Sequence, residues 1–432
     1  MLKGFVSAFR TPDLRKKLLL TLGILAVYRL GVAIPTPGVS YENVKFCAGS
    51  TTTNAAFEIL NLFAGGALLQ LSIFALGIMP YITASIIVQL LRVLIPRFET
   101  LYREGQEGQA KLTQYTRYIT VGFAALQSAS YITLARNGSF FPGCAAPVIP
   151  DDSWVNITLM VITMTAGTVF VMWLGERITE RGVGNGMSLL IFASIAASFP
   201  QAIGSVWRST NGPTNTLLLA ILVLVVIAVI VFVEQSQRRI PVQYAKRVVG
   251  RRTLGGSSTY IPLKINMSGV IPVIFASSLL TLPSVISQFS GDEPAAWVVW
   301  TQNNLADPSA PGHIALYILL IVFFAYFYTA ITFNPDQVAD DMKKYGGFIP
   351  GIRPGKPTAD FLNYVLSRIT AAGSIYLAIV ALAPLLAFVA MGVSTSIPFG
   401  GTSILILVGV GLDTVKRIQS QLEQRHYEGF LK

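Results

Sequence analysis

Few residues in this sequence are of types that catalyse reactions, and their spacing matches no catalytic motif. The two histidines are His313 and His426, and no HExxH motif is present, which excludes a zinc protease built on that motif. Asp413 is the only acidic residue that we place near the core of a predicted membrane helix, and it lacks the second aspartate of an aspartyl intramembrane protease. The segment 351–356 (GIRPGK) is one residue shorter than a phosphate-binding loop, and Pro357 stands where Ser or Thr is needed. We therefore expect no enzyme, no cofactor and no metal site, so any ATP-driven work must come from a partner.

The segment 175–187 (GERITERGVGNGM) is charged and then rich in glycine, and it superficially resembles a dinucleotide-binding fingerprint. It follows an apolar helix rather than a strand, and its glycine spacing is wrong for that motif. We interpret it as a flexible entry into a half-buried helix.

The two cysteines are Cys47 and Cys144, in the first and second predicted outer loops. Neither has a His or Cys neighbour at metal-ligand spacing. Both would face an oxidising compartment, which permits a disulfide. Two free thiols are the interpretation we favour, and a disulfide is the alternative hypothesis.

Composition places these residues in a membrane protein. Hydrophobic residues make up 53% of the 432 positions and charged residues 12%, which is too apolar for a soluble globular protein. A helix needs about 20 mostly apolar residues to cross the hydrocarbon core of a bilayer, and such runs recur along the chain. We predict ten transmembrane helices from these runs, at residues 18–34, 73–94, 115–135, 154–174, 186–206, 215–233, 268–289, 314–333, 369–391 and 402–417.

The net charge of +11 mostly reflects membrane topology. If the N-terminus is cytoplasmic, nearly all of the 32 Lys and Arg residues fall in inner segments. This bias is the positive-inside pattern, and it places both termini in the cytoplasm. Arg29 is the exception, because it lies within the first predicted helix, where it either snorkels to the interface or bonds a neighbouring carbonyl group. The other helix interiors contain almost no charge, which points away from an ion-coupled pump.

Ten helices with both termini on one side divide into two halves of five, residues 1–206 and 207–432. The second half is then inverted relative to the first, a common plan of transport proteins in which the pathway runs between the halves. The apolar segment 57–70 is broken by Gly65 and Gly66 and is too short to span the membrane. Segments of this kind mark pathways, and an outer re-entrant loop is the alternative. From these residues alone, a solute or ion carrier with inverted repeats is the alternative function.

Two long inner loops, at about 234–267 and 334–368, carry more positive charge than topology requires. They suggest docking to an acidic partner such as ribosomal RNA or an acidic protein face. Solvated charge that only sets topology is the alternative. The candidate docking residues are Arg238, Arg239, Lys246, Arg247, Arg251, Arg252, Lys343, Lys344 and Arg353.

Several long motifs resemble one known family over essentially the whole chain. The motifs are RLGVAIPTPGV (29–39), FAGGALLQLSIFALGIMPYITASIIVQLL (63–91), EGQEGQAKLTQYTRY (104–118), MWLGERITERGVGNG (172–186), RRIPVQYAKR (238–247), PLKINMSGVIPVIFASS (262–278), FNPDQVADDMKKYGGFIPGIRPGKPT (333–358) and GGTSILI (400–406). At these positions the sequence resembles the SecY/Sec61-alpha family, the channel-forming subunits of Sec protein translocases.

The resemblance implies an all-α membrane protein of ten transmembrane helices, in two inverted five-helix halves around a central hourglass pore with a plug. The halves would be hinged between the fifth and sixth helices, and the segment 57–70 would be the plug that seals the outer funnel. Bulky aliphatic side chains at the waist would resist ion flow yet deform around a peptide. The plug residues would be Phe63, Ala64, Gly65, Gly66, Ala67 and Leu68. The hydrophobic ring of the pore would be Ile78, Ile82, Val183, Met187, Ile274 and Ile406.

A lateral gate is implied between the second helix, at about 76–91, and the seventh, at about 268–285. It would open the pore sideways to lipid, so that an apolar signal sequence replaces lipid contact there. Polar residues on or beside these helices are expected to hydrogen-bond across the closed gate, with ordinary interhelical bonding or solvation as the alternative. They are Thr83, Gln89, Asn266 and Ser277.

The resemblance finally implies a passive protein-conducting channel, for secretion of preproteins across the bacterial plasma membrane and lateral insertion of membrane proteins into it. The implied partners are the SecE and SecG subunits, the motor ATPase SecA, the ribosome, signal sequences and unfolded preproteins, and membrane lipid. SecA or the ribosome would supply the energy and dock on the basic loops. Arg353 stands where the family has a functionally central arginine.

Overall fold

Each of the ten predicted apolar runs contains a helix in the structure. The computed structural model describes residues 11–50, 61, 63–138, 140–141, 144, 146–207, 212–244, 247–249, 252–254, 258–287, 296–301, 304–305, 310–390 and 401–428. The helices are α1 (Pro12–Val32), α2 (Tyr41–Ser50), α3 (Met79–Leu94), α4 (Pro96–Arg103), α5 (Gln106–Arg136), α6 (Trp154–Arg181), α7 (Gly186–Trp207), α8 (Gly212–Gln235), α9 (Ile271–Ser287), α10 (Ala296–Thr301), α11 (Pro311–Thr332), α12 (Pro335–Lys344), α13 (Lys356–Ala390) and α14 (Gly401–Glu428). The predicted runs lie in all of these except the short helices α2, α4, α10 and α12.

The second predicted helix begins later than its apolar run. The run starts at residue 73, but α3 starts at Met79, and residues 64–78 form turns. Leu71 has a φ of 46°, in the left-handed region that an α-helix does not contain. Pro80 lies in the first turn of α3, where the backbone N–H that it lacks would have no partner within the helix. The stretch before Met79 is apolar because it is buried among other helices, not because it spans the membrane.

Several helices extend beyond their apolar runs at the ends predicted to be cytoplasmic. Helix α5 begins at Gln106 instead of 115, α13 begins at Lys356 instead of 369, and α14 continues to Glu428 instead of 417. An apolar run marks only the part of a helix in hydrocarbon, whereas Glu, Gln, Lys and Arg continue a helix well in water.

Length and hydropathy alone identify fewer spans than ten. In the described part of the chain, four helices are long and apolar enough to cross a membrane, and α3 with α4 makes a fifth if the bend of 102° between them is accepted. The apolar parts of α7 and α9 are shorter than a full span. The count of ten therefore depends on the family fold reported below.

Two apolar clusters fill the bundle. The first joins α1, α2, residues 63–78 and α5 to α7 with one face of α9 and α14, to which Ile274 and Ile406 belong. The second lies among α8, α9, α11, α13 and α14, with Val273 and Leu405 on different faces of α9 and α14. These two helices thus form the boundary between the clusters. The division of the chain at residues 206 and 207 stays a prediction.

The two long inner loops fold against each other, which the sequence did not predict. Strand β1 is Gln237–Tyr244, and a hairpin of β2 (Arg247–Val249) and β3 (Arg252–Leu254) follows it. Strands β4 (Ser258–Lys264) and β5 (Gly347–Phe348) both pair antiparallel with β1, in the order β4-β1-β5. Side chains alternate along β1, so Ile240 and Val242 pack with Leu362 of α13 beneath the sheet.

The structure joins Cys47 and Cys144 in a disulfide, with Cα atoms 5.6 Å apart. The favoured expectation of two free thiols is therefore wrong. The two cysteines meet because α2 packs on the chain before α6. There, the Ser40 N–H donates to the Val148 carbonyl oxygen at 3.0 Å, and Asn43 Nδ2 donates to the Pro147 carbonyl oxygen at 2.8 Å.

Candidate pore, plug and lateral gate

Residues 63–78, called the plug segment below, enter the first apolar cluster as a series of turns. The predicted plug begins at residue 57, and residues 57–60 and 62 lie outside the described residues. The plug segment is packed as tightly as a protein core, since Leu68 exposes 1% of its surface. Five of the six predicted plug residues are buried, namely Phe63, Ala64, Gly65, Ala67 and Leu68, and Gly66 is half-buried.

The two glycines of the plug segment permit its sharp turns. Gly65 and Gly66 have φ values of 69° and 90°, in the region that favours glycine. A Cβ atom at Gly65 would lie 3.1 Å from the Cα atom of Ser194 in α7. Any larger residue at Gly65 would therefore press against α7.

Two neighbouring side chains of α1 contact the plug segment. Arg29 donates from Nη1 to the Gly65 carbonyl oxygen at 2.9 Å. The Tyr28 hydroxyl lies 2.7 Å from Ser194 Oγ and donates to the Ala64 carbonyl oxygen at 3.5 Å. Of the two expectations for Arg29, a bond to a neighbouring carbonyl group is confirmed.

The end of the plug segment is fixed by backbone pairing beyond α1. The Thr36 N–H donates to the Leu71 carbonyl oxygen at 3.0 Å, and the Ile73 N–H donates to the Ile34 carbonyl oxygen at 3.0 Å. On the other side, a Cβ atom at Gly167 of α6 would collide with the Ile73 carbonyl oxygen. The segment is therefore held between α1 and α6 as well as against α7.

Five of the six predicted ring residues share one cluster with the plug segment. Ile78, Ile274 and Ile406 are buried in it, and the half-buried Ile82 and Met187 pack against it. These residues come from α3, α7, α9, α14 and the end of the plug segment. The fold thus brings together aliphatic side chains that are far apart in sequence.

Val183 does not belong to this group, so the structure does not support its predicted place in the ring. It lies in the turn before α7, where it packs with Leu14 of α1 and Ile418 of α14 in a separate cluster. Its N–H donates to Thr21 Oγ1 at 3.3 Å. Because α7 begins at Gly186, Val183 precedes the helix and shares no helical face with residue 187.

Two isoleucines missing from the predicted ring line the space beside it. Ile86 lies one helical turn after Ile82 on α3, and Ile191 lies one turn after Met187 on α7. The spacing of four residues, about one helical turn, within each helix is the sequence signal that could have identified them.

A cavity of about 440 Å³ lies between α3, α7 and α9. Ile82 and Ile86 of α3 face Ile271 and Ile274 of α9 across it. Away from the cavity, α3 packs on α5, and α9 packs on α11. The two predicted gate helices are therefore separated by a space rather than packed together. The polar residues at its rim include Gln89, Thr113, Arg117, Glu176, Glu180 and Asn185.

The hydroxyl and amide groups predicted to close the gate bond within their own helices. Thr83 Oγ1 donates to the Met79 carbonyl oxygen at 3.1 Å. Gln89 Nε2 donates to Ser85 Oγ at 3.5 Å, also within α3. On α9, Ser277 Oγ donates to the carbonyl oxygen one turn before it, at 3.0 Å.

Asn266 lies just before α9 and bonds away from α3. Its Nδ2 atom donates to Glu234 Oε1 of α8 at 2.7 Å and to the Gly269 carbonyl oxygen at 3.0 Å. The expected hydrogen bonds across the gate from these four residues are therefore not formed, because the cavity separates the helices. The location of the gate itself stays a prediction.

Arg92, which the sequence analysis did not single out, connects α3 to the second half of the chain. Its guanidinium lies 3.4 Å from the centre of the Tyr102 ring, and Nη2 donates to the Ile331 carbonyl oxygen of α11 at 3.5 Å. All three residues line a second cavity of about 390 Å³ that adjoins the first.

An ion pair neutralises one side of the cavity rim. Arg117 of α5 donates from Nε and Nη2 to the two carboxylate oxygens of Glu176 in α6, at 2.8 and 2.9 Å. This two-bond geometry is the strongest form of such a pair. Within the described residues, no group of three or more His, Cys, Asp or Glu side chains is placed to hold a metal ion.

The candidate docking residues fall on the folded inner loops. Arg238 and Arg239 are exposed on β1, and the guanidinium of Arg239 lies 4.8 Å from the Tyr260 ring centre. Arg353 is exposed in the turn before α13, where its carbonyl oxygen accepts a bond from Thr358 Oγ1 at 2.8 Å. Lys246 and Arg251 lie outside the described residues. The remaining docking candidates are Arg247 and Arg252 on the hairpin and Lys343 and Lys344 at the end of α12.

The chain matches the SecY family model over residues 72–415. Two similar relatives are the protein translocase subunits SecY of Streptomyces scabiei and Streptomyces coelicolor. They are 60% and 59% identical over 438 residues, and each match covers 100% of this chain and 100% of the relative.

Three solved structures share the fold over 94% of this chain and 91% of theirs. One is described as "The structure of a protein conducting channel", with a TM-score of 0.61 and 20% identity. Another is a SecY protein whose plug domain is described as stabilising the closed state, with a TM-score of 0.58 and 19% identity. The third is Sec61 in the canine ribosome-channel complex, with a TM-score of 0.60 and 17% identity. This likeness confirms the predicted all-α channel fold of ten helices with a plug.

Proposed function

The chain belongs to the SecY family of protein translocase subunits, and on this premise we propose that it is the protein-conducting channel of a bacterial Sec translocase. It secretes preproteins across the membrane and inserts membrane proteins laterally into it. The observation that carries the proposal is the asymmetric waist. Aliphatic ring residues pack against the plug segment on one side and border a cavity between α3 and α9 on the other.

The waist conducts polypeptide but resists ions because of its side chains. Ile82, Met187 and Ile274 present apolar surface at the narrowest part of the pathway, where water and ions are poorly solvated. Flexible aliphatic side chains change rotamer as a polypeptide passes, and Met187 is the most adaptable of them. The plug segment contains almost no regular helix, so it leaves the waist without breaking a helical hydrogen-bond ladder.

The cavity between α3 and α9 supports a lateral gate at this place. Ile82 and Ile86 of α3 and the lining residues of α9 give it apolar walls, so an apolar signal sequence that enters there exchanges lipid contact for similar contact. Thr83, Gln89, Asn266 and Ser277 belong to the gate through their positions on or beside these helices. Their hydroxyl and amide groups hydrogen-bond to polypeptide segments that enter the gate rather than to one another.

The chain is passive, and its partners supply the energy. SecA and the ribosome dock on the exposed basic face formed by the inner loops, with Arg353 central to it. A ribosome-bound channel among the structural neighbours supports the second partner. SecE and SecG complete the complex, and the positive-inside pattern supports a plasma-membrane orientation with both termini in the cytoplasm.

A crosslinking experiment tests the channel directly. Both native cysteines are in the disulfide, so the Ile82→Cys variant carries one free thiol. A secretory precursor with one cysteine in its middle is jammed during export by a folded domain, in membrane vesicles that contain the complex. We expect a disulfide crosslink at residue 82 that requires SecA and ATP, and a similar crosslink from Ile191→Cys.

The matched control is Val183→Cys, because Val183 packs in a separate cluster away from the ring. It should give no crosslink. If precursor is exported but Ile82→Cys, Ile274→Cys and Ile406→Cys all fail to crosslink, the pore assignment is wrong and the carrier alternative returns.

A further inference from the structure

Arg29 is an unusual residue for the membrane helix that contains it. It lies in the last turn of α1 and is exposed on the helix surface, and no carboxylate of the described residues lies within ion-pair distance of it. A positive charge within a membrane helix is unfavourable unless polar groups compensate it. The described contact that compensates it is the bond from Nη1 to the Gly65 carbonyl oxygen.

The Gly65 carbonyl group in turn depends on Arg29 as its hydrogen-bond donor. It belongs to an irregular turn inside an apolar cluster, where a carbonyl group without a hydrogen bond is unfavourable. The left-handed conformations of Gly65 and Gly66 turn the chain here, and the Gly66 N–H bonds back to the Asn61 carbonyl oxygen at 2.9 Å.

The neighbouring residue strengthens the same attachment in a different way. Tyr28 is buried, and its hydroxyl contacts both Ser194 of α7 and the Ala64 carbonyl group. Truncating Tyr28 would leave a core cavity and disturb the whole fold. Arg29 is exposed, so its removal loosens the plug segment without emptying the core.

We propose that Arg29 is a positioning residue that latches the plug segment to α1 through the Gly65 carbonyl group, and so sets how readily that segment leaves the waist. The inference rests on the proposed function, in which the segment is a plug. Opening exposes the carbonyl group and releases Arg29 toward the outer interface. Because a hydrogen bond to a charged group is stronger than a neutral one, losing it should raise the displaced population about tenfold.

The test uses the thiol chemistry of the chain. A Leu68→Cys variant carries one free thiol, buried in the closed state, since both native cysteines are in the disulfide. Right-side-out vesicles containing the complex are treated with a membrane-impermeant maleimide, and the labelling rate is measured. We expect Arg29→Met to raise that rate about tenfold and Arg29→Lys to give an intermediate rate. Ion conductance of the purified complex in planar bilayers should also rise for the Arg29→Met variant.

The control is Arg136→Met, which removes an arginine of the same predicted face that pairs with Asp152 and does not contact the plug segment. If Arg29→Met does not accumulate, Arg29→Gln replaces it, because its amide is too short to reach Gly65. Labelling that is unchanged, or raised equally by Arg136→Met, overturns the latch. The Ile82→Cys variant is crosslinked to precursor in parallel, with and without Arg29→Met. A normal crosslink means that the channel function stands; if the crosslink fails with Arg29 in place, the channel and the latch are both overturned.

Discussion

In the proposed channel, the outer and cytoplasmic sides of the waist are built in opposite ways. On the outer side the chain fills its own pathway, because Ala67 and Leu68 are buried in the same cluster as Ile406. On the cytoplasmic side the chain leaves the pathway open, as the cavity of about 440 Å³ between α3 and α9. Under the proposed function, the barrier to ions belongs to the outer side, where it is made by close packing. The open inner side is then the one that receives the polypeptide.

The attachments on the two sides differ as well. The outer side is held by a disulfide and by backbone pairing of residues 34–36 with the plug segment. The inner side is spanned by weaker contacts, such as the bond of Arg92 to Ile331 at 3.5 Å. A channel that must open sideways without losing its fold needs this division between a firm side and a loose side.

The largest expected effect is on the free energy of unfolding, and it should differ between a tightly packed site and a site that borders a cavity. Leu68→Ala empties a packed site on the outer side, so the free energy of unfolding should fall by about 2–5 kcal/mol. Ile82→Ala enlarges a cavity that already exists, and its loss should be less than about half of that. Denaturant titration of the purified complex in detergent measures both, and equal losses would remove the contrast between the two sides.

The disulfide should stabilise the outer side by nearly as much as the packing of Leu68 does. Replacing both cysteines, by Cys47→Ser with Cys144→Ser, removes a link between residues 97 apart in sequence and should lower the free energy of unfolding by about 2–4 kcal/mol. Reductant should lower the stability of the parent and leave the double variant unchanged. The parent protein is unfolded without reductant and its free thiols are titrated. Two free thiols would contradict the disulfide between the cysteines.

On the inner side, a substitution at the cavity rim should alter which signal sequences are accepted rather than the stability of the fold. Gln89→Leu makes the rim more apolar, so precursors with defective signal sequences should be exported more readily. The free energy of unfolding should change by no more than about 0.5 kcal/mol. Gln114→Leu, on the exposed surface of α5, is the control. Full rejection of defective signals by Gln89→Leu would exclude the gate role of this residue.

The smallest effect on stability is expected at the docking face. Arg353→Glu reverses an exposed charge, so folding should be unchanged while motor-driven export falls by roughly tenfold through repulsion of an acidic partner. Arg97→Glu, another exposed inner arginine, should export normally. Normal export by Arg353→Glu at a normal protein level would show that this position does not dock the motor.

The helices were predictable because the hydrocarbon core sets a minimum apolar length. The sheet of β1, β4 and β5 was not, because its strands come from two loops that meet only after α9, α11 and α12 are in place. The disulfide was missed for a related reason. Nothing in the spacing of Cys47 and Cys144 reveals that α2 packs against the chain before α6.

The ring was predicted in part. Helices α3 and α9 begin at Met79 and Ile271 rather than at 73 and 268, so the placement of Ile78, Ile82 and Ile274 followed from the family motifs and not from the apolar runs. Val183 lies outside the group although the start of α7 was predicted correctly at residue 186, because it precedes that start, in a turn whose side-chain directions the helical spacing does not set. Arg92 has no sequence signal, since its contacts come from a distant helix and from the bend between α3 and α4.

The position of the disulfide has a consequence for how the chain is made. Cys47 precedes α3 and Cys144 follows α5, so the thiols reach the same compartment only after both helices have been threaded in the correct orientation. If either helix is inserted backwards or skipped, the second thiol stays on the reducing side and the bond does not form. With the predicted topology, the covalent link would therefore form only in those copies whose first spans are correctly oriented.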